Sequence, residues 1–299
     1  PALLMAIVND EAVKPDVRLA ASERAAMRGI LAPEALRKIY LTAGRSGSSA
    51  GQRAALMQQI DKVSREGRDG GRLLQLARQL LDRSRTKDLY AVAAAMLGPD
   101  IRDLRQTRET RVHAETAIEI AAASGQYDAA VGWTIFASSY ATAGTGGSAG
   151  LMHWLTPVDI ADPRENAPRG GGFGSTESLA RQGRFSSDTL HRLVTILDGL
   201  GYTNIPIPLW EAASRTPQPT RGYLPKTGLL GHLKTAARNK ETGHTLLLAV
   251  AALGPGGAKG AHLISLGDTL RALRETGLEE QAREIAFEVV FPAWPRQQG

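Results

Sequence analysis

The sequence predicts an all-α fold, a right-handed array of antiparallel helix pairs (an α-solenoid), on three observations. First, Ala91-Val92-Ala93-Ala94-Ala95-Met96-Leu97-Gly98-Pro99 returns as Ala249-Val250-Ala251-Ala252-Leu253-Gly254-Pro255, and each copy is followed by two more helical patterns. Repetition at long spacing marks stacked supersecondary units. Second, alanine, leucine and arginine dominate while aromatics are only 5%, and few windows alternate Val, Ile, Thr or Tyr as strands require. Third, glycine and proline fall at intervals that divide the chain into helix-sized pieces.

The elements follow in order. Pro15-Asp16 opens a helix through Leu19, Ala20, Ala21, Ala25 and Met27, Gly29 ends it, and Pro33-Glu34 opens the next through Leu36, Ile39 and Tyr40, giving a helical hairpin. Gly44–Gly51 reads as a loop. Ala54–Ser64 and Leu73–Leu81 carry apolar residues at three- and four-residue intervals, broken by Gly67, Gly70 and Gly71. Leu89–Leu97 is stopped by Gly98-Pro99, Ala114–Ala123 ends at Gly125, and Tyr127–Phe136 follows. The late block has the same order: Leu246–Leu253, Gly254-Pro255, Leu263–Leu273, Gly277, Leu278–Phe291. Between the copies, 143–219 holds the glycine clusters Gly144–Gly150 and Gly170–Gly174 and seven prolines. Only Thr189–Leu200, capped by Ser187-Asp188, reads there as a helix. The expected organisation is N-terminal repeats over 1–142, an irregular connection over 143–219 and C-terminal repeats over 220–299, in one continuous elongated domain. Long irregular connections are uncommon in compact domains and often functional, so 143–219 is where a site is expected.

Ser124-Gly125-Gln126-Tyr127-Asp128-Ala129-Ala130 resembles the turn between the two helices of a tetratricopeptide repeat: glycine, an aromatic two positions on, and a small residue, Ala130, three further. Gly277 and Ala282 keep the glycine and the small residue with Glu279 in place of the aromatic; Gly29 with Ala35 is a third instance, offset by one. Glycine permits the left-handed turn and alanine lets two helices approach closely. No Trp-x-x-Leu-Gly signature and no sustained 34-residue period accompany these turns. The chain thus resembles a divergent tetratricopeptide-like protein over about a third of its length. An irregular bundle whose glycine turns recur by chance is the alternative.

Composition bounds the chemistry. The formal charge is +6 and the pI about 9.7. Basic residues gather from Lys62 to Lys87 but alternate with Asp61, Glu66, Asp69 and Asp82, as on a solvated helix face, and no aromatics interleave; nucleic acid is not the expected partner. Cysteine is absent, which removes disulfides, a thiolate nucleophile and cysteine-ligated metals, and suits an oxidising compartment, periplasmic or secreted, with the cytoplasm as the alternative. The chain opens at Pro1 rather than Met, so trimming at the N-terminus is the expectation, with removal of a leader or anchor left open, and the apolar runs are far short of a membrane span.

No familiar catalytic pattern survives inspection. Gly150-Leu151-Met152-His153-Trp154-Leu155-Thr156-Pro157 is similar to the Gly-Leu-Met-Gln-x-x-Pro segment of lysozyme-like lytic transglycosylases, which carry helical superhelices. That family has a Glu-Ser pair about twenty residues upstream, whereas no glutamate lies between Glu119 and Glu165, and Glu177-Ser178 comes after the segment. Gly144-Thr145-Gly146-Gly147-Ser148 and Gly170–Gly174 lack the P-loop lysine and a preceding strand, and read as flexible loops. His113, His153, His191, His232, His244 and His262 form no metal-binding spacing, and no Gly-x-Ser-x-Gly elbow occurs. No cofactor, metal or catalytic residue is therefore expected. The expectation is a non-catalytic scaffold or adaptor that holds a protein or peptide on a concave helical face, with Trp133, Trp154, Tyr202 and Trp210 as candidate contacts. A helical domain associated with a cell-wall glycan enzyme is the competing reading.

Overall fold

The computed structural model describes residues 2–85, 89–139, 149–167 and 169–296, and the regular elements among them are all helical. The nearest approach to a sheet is one isolated bridge, Tyr223 to Ala261. The chain divides into two compact units, Pro1–Ser148 and Ala149–Gly299.

The first unit holds α1 (Ala2–Asn9), α2 (Pro15–Met27), α3 (Pro33–Thr42), α4 (Ser49–Glu66), α5 (Gly70–Arg85), α6 (Tyr90–Met96), α7 (Gly98–Ile101), α8 (Arg108–Arg111), α9 (Ala114–Ala123) and α10 (Tyr127–Ser138). Pro15 and Pro33 open their helices where no amide hydrogen is needed. Ser48 caps α4 by accepting from the Gly51 amide at 3.1 Å. On α5 the stripe Leu73, Leu74, Ala77, Leu80 and Leu81 is buried. On its polar side Arg78 does not merely face solvent: it donates to Glu115 and Glu119 of α9, each at 3.0 Å.

The second unit begins with a 3-10 helix, Ala149–Trp154, and continues through α11 (Leu155–Ala161), α12 (Phe173–Arg181), α13 (Ser187–Gly199), α14 (Ile207–Ser214), α15 (Thr227–Arg238), α16 (Thr242–Leu253), α17 (Gly257–Gly260), α18 (Leu263–Glu275) and α19 (Glu279–Val290), closing on a 3-10 turn, Phe291–Ala293. The 143–219 stretch is thus more regular than its composition implies: α11, α12 and α14 join the expected α13. All three are short, and their prolines sit in first turns, Pro157 third in α11 and Pro208 second in α14, where they cost no helical hydrogen bond. The cap of α13 is Ser186, which accepts from the Thr189 amide at 3.1 Å, rather than Ser187-Asp188.

In the Gly170–Gly174 run, 170–172 form a turn, and Phe173 and Gly174 already belong to α12. A Cβ on Gly172 would fall 2.6 Å from the Thr156 backbone nitrogen, so the glycine is what lets this turn lie against the start of α11. The other glycine cluster, 144–148, lies outside the described residues, as does Lys87.

The two copies of the sequence repeat build related series, the first with an extra four-residue helix, α8, that has no counterpart in the second. In the first, α6 packs on α9 and α9 on α10; in the second, α16 packs on α18 and α18 on α19. A four-residue helix, α7 or α17, follows the opening helix each time, so Gly98-Pro99 ends α6 and at once begins α7. The turns also match. Gly125 and Gly277 have φ of 72° and 85°, and at each the next amide donates back to the carbonyl five residues earlier, Gln126 to Ala121 and Leu278 to Leu273. Gly29, Gly183 and Gly201 close α2, α12 and α13 in this way, and Lys240, the non-glycine at positive φ among the described residues, closes α15. Ala130 and Ala282, the small residues five positions after Gly125 and Gly277, are fully buried.

Candidate functional site

The four aromatic candidates go to four different places. Trp133 on α10 is buried, edge-on to Phe136. Trp154 is fully buried in the second unit, in a cluster with Phe291, Trp294 and His153, to which Phe185 adds its ring through Trp294. Neither indole has surface to offer a partner. Tyr202, placed by the Gly201 turn, has its ring on Phe173 and its hydroxyl in a polar network. Trp210 on α14 is 41% exposed.

The Tyr202 network centres on Asp159 of α11. The buried Asp159 carboxylate accepts from the Tyr202 hydroxyl at 2.8 Å, from Arg169 at 2.9 Å and from the Gly170 amide at 2.6 Å. The buried Arg283 of α19 donates to the carbonyls of Asp159 and Ile160 at 3.0 and 3.3 Å, and to Glu279 at 2.7 Å. Burial, followed by the Asp159 charge, holds the Tyr202 phenol above its ordinary pKa. Every polar group here has a partner, so the network ties Asp159, Arg169 and Gly170 to the turn after α13, and Asp159 to α19. Asp159 is the buried carboxylate nearest the Gly150–Pro157 segment in sequence, and its oxygens are committed to these donors.

Trp210 instead lines an open groove of about 480 Å³. One wall is α13, with His191, Val194, Thr195 and Asp198 at helical spacing; the other is α18, with Leu263, Ile264, Gly267, Asp268 and Arg271; Trp210, Ala213, Ser214, Thr216 and Gln218 complete it. Glycine sets the distance between the walls. A Cβ on Gly267 would sit 3.1 Å from Thr195, and one on Gly199 would sit 3.1 Å from Leu270, so α13 and α18 pack closely below the opening. The groove lining combines apolar and paired polar side chains. Ile264 is 53% exposed beside Trp210. Arg271 donates to Asp268 at 3.0 Å and also pairs with Asp198, Lys234 of α15 holds the other Asp268 oxygen at 2.8 Å, and His191 Nε2 lies 3.2 Å from the Thr216 hydroxyl.

Of the sequence candidates, only Trp210 reaches this groove. Ile264, Asp268 and Arg271 on α18 and His191, Thr195 and Asp198 on α13 were not singled out, although each set recurs at three- or four-residue spacing and so marks one helix face. Among the described residues no three of His, Asp and Glu are placed to hold a metal ion, and no helix is long and apolar enough to cross a membrane. In comparisons with known proteins, no family model matches the chain, and neither the curated proteins nor the solved structures give a match.

Proposed function

We propose that the chain is a non-catalytic scaffold or adaptor, a divergent tetratricopeptide-like protein in which successive helices pair antiparallel, and that the groove between α13, α14 and α18 takes a short segment of a partner protein. The observation that carries this reading is the groove's make-up: two exposed apolar side chains, Trp210 and Ile264, line a cleft whose charged groups Asp198, Asp268 and Arg271 are already paired with one another. Such a surface takes an apolar anchor and aligns polar flanks, which is how peptide grooves divide affinity from specificity. The matched series α6–α7–α9–α10 and α16–α17–α18–α19, closed at Gly125 and Gly277 by the same turn, supports the repeat reading. Its compartment is periplasmic or secreted, consistent with the absence of cysteine.

The test is a displayed random-peptide library selected against the full chain. The reading predicts an enriched motif with a large apolar residue, whose binding falls by roughly tenfold or more in Trp210→Ala or Ile264→Asp, as for loss of an interface anchor. Peptides that bind both variants as well as wild type would place recognition elsewhere.

A further inference from the structure

Helix α16, Thr-Gly-His-Thr-Leu-Leu-Leu-Ala-Val-Ala-Ala-Leu, is apolar nearly all round, a composition that normally means burial on every side. It is not buried on every side. Ala249, Ala252 and Leu253 face inward, while Leu247 is 73% and Val250 70% exposed, with Leu246 and Ala251 also open. The strip continues at its end, where the Tyr223 ring lies over Gly254 and Leu224 follows, both exposed. Helices α15 and α16 pack on each other and both pack on α18, so their sides away from α18 adjoin. A large apolar strip rimmed by polar residues marks an interaction surface.

The rim is predominantly basic. From Arg221 to His262 the chain carries Arg221, Lys226, Lys234, Arg238, Lys240 and Lys259 against a single acid, Glu241, which is nearly the whole of its +6 formal charge. This region is more one-sided than Lys62–Lys87, with six cations against the one carboxylate of Glu241. Lys234 and Lys259 bind Asp268 and Glu288, and Lys240 binds the Glu275 carbonyl. Arg221, Lys226 and Arg238 are exposed and have no acidic partner among the described residues. Lys226 immediately precedes α15 and Arg238 is its last residue, so these cations flank a helix of 12 residues, about 18 Å long at 1.5 Å per residue.

We propose that the α15–α16 face docks an acidic amphipathic helix of a partner protein, with apolar residues on the Leu247–Val250 strip and carboxylates toward Lys226 and Arg238. Charge selects this occupant. A second copy of the chain would bring the same cations face to face, and like charges across an interface oppose association. An anionic lipid surface calls for interfacial tryptophan beside its basic cluster, and this face lacks it. An amphipathic helix laid into an apolar face needs only spaced anchors and charged ends. The proposal rests on the scaffold reading but uses other residues than the groove, so the two fail separately.

The experiment uses the full chain and a fluorescein-labelled, helix-stabilised peptide with leucines on one face and glutamates at both ends, read by anisotropy. Saturable binding is expected, weaker at high salt, and lowered by roughly tenfold in Leu247→Asp or Val250→Asp, whose positions are solvent-facing in the free protein. Lys226→Glu with Arg238→Glu should weaken this peptide and strengthen a version with lysine ends, while Trp210→Ala leaves binding unchanged. The proposal is overturned if wild type does not bind the glutamate peptide or binds both peptides equally, if the Leu247 and Val250 variants bind normally, if the chain sediments with phosphatidylserine vesicles without binding peptide, or if light scattering shows a dimer that Leu247→Asp dissolves.

Discussion

The Tyr202 hydroxyl donates to the Asp159 carboxylate at 2.8 Å across 43 residues of chain, tying the turn after α13 to α11. Tyr202→Phe removes one of three donors to that carboxylate and should cost about 1.5–3 kcal/mol, the usual figure for a lost hydrogen bond to a charged group. Asp159→Ala should cost more, about 3 kcal/mol or above, because Arg169 then keeps a half-buried charge without its partner. Urea denaturation of the two variants checks the order.

In the first unit the Arg53 guanidinium, 3% exposed, holds Glu23 through two hydrogen bonds of 2.8 and 2.6 Å, and Tyr40 adds its hydroxyl at 2.6 Å. Glu23→Gln leaves a buried cation uncompensated and should destabilise by roughly 3–5 kcal/mol. Glu23→Leu with Arg53→Met removes both charges and should cost less than that single change. A double variant worse than Glu23→Gln would mean that the ion pair contributes little of the penalty.

Burial and the adjacent Glu23 charge push the Tyr40 phenol above its ordinary value, as burial and Asp159 do for Tyr202. In the unfolded chain these phenols ionise near pH 10. The folded state therefore binds protons that the unfolded state releases, and this stabilisation, complete below pH 10, is lost as pH rises above it. Denaturation midpoints between pH 8 and 11 should fall for wild type and fall less for Tyr40→Phe with Tyr202→Phe.

His153 gives the opposite slope. Its ring is buried, stacked on Trp294, with Nε2 3.0 Å from the Pro295 carbonyl and Nδ1 against Gly150. Burial lowers its pKa below the ordinary value of about 6.5. Stability is thus present above about 6.5 and lost as pH falls through the folded value, since only the unfolded chain takes the proton readily. Comparing midpoints at pH 7.5 and 5.5 should show a loss in wild type that His153→Phe reduces.

The helix-closing glycines carry their own prediction. Gly277→Ala forces an L-residue to φ of 85° and should cost about 1–2 kcal/mol. Gly172→Ala should cost more, because its Cβ meets the Thr156 backbone rather than empty space. Thermal melts rank the two.

The helix boundaries legible in the sequence were those marked by backbone chemistry. Pro15 and Pro33 mark the starts of α2 and α3, and Gly29, Gly125 and Gly277 lie just beyond the ends of α2, α9 and α18, because proline and glycine act locally. Helices α11, α12 and α14 were not legible: they are seven to nine residues long, each carries a glycine or proline, and packing supplies most of the stability of such short helices. The groove was legible only through Trp210. Its walls come from helices some seventy residues apart, and His191, Asp198, Asp268 and Arg271 each look like ordinary solvated positions until α13 and α18 are side by side. The exposure of Leu247 and Val250 ran against composition, since an all-apolar helix reads as core.

The central claim is that the groove between α13, α14 and α18 recognises a protein segment. Its most direct test is hydrogen exchange of the full chain with and without a library-selected peptide. The account predicts slowed exchange across His191–Asp198, Trp210–Ser214 and Ile264–Arg271, abolished in Trp210→Ala. Protection confined to other helices, with these three segments unchanged, would contradict it.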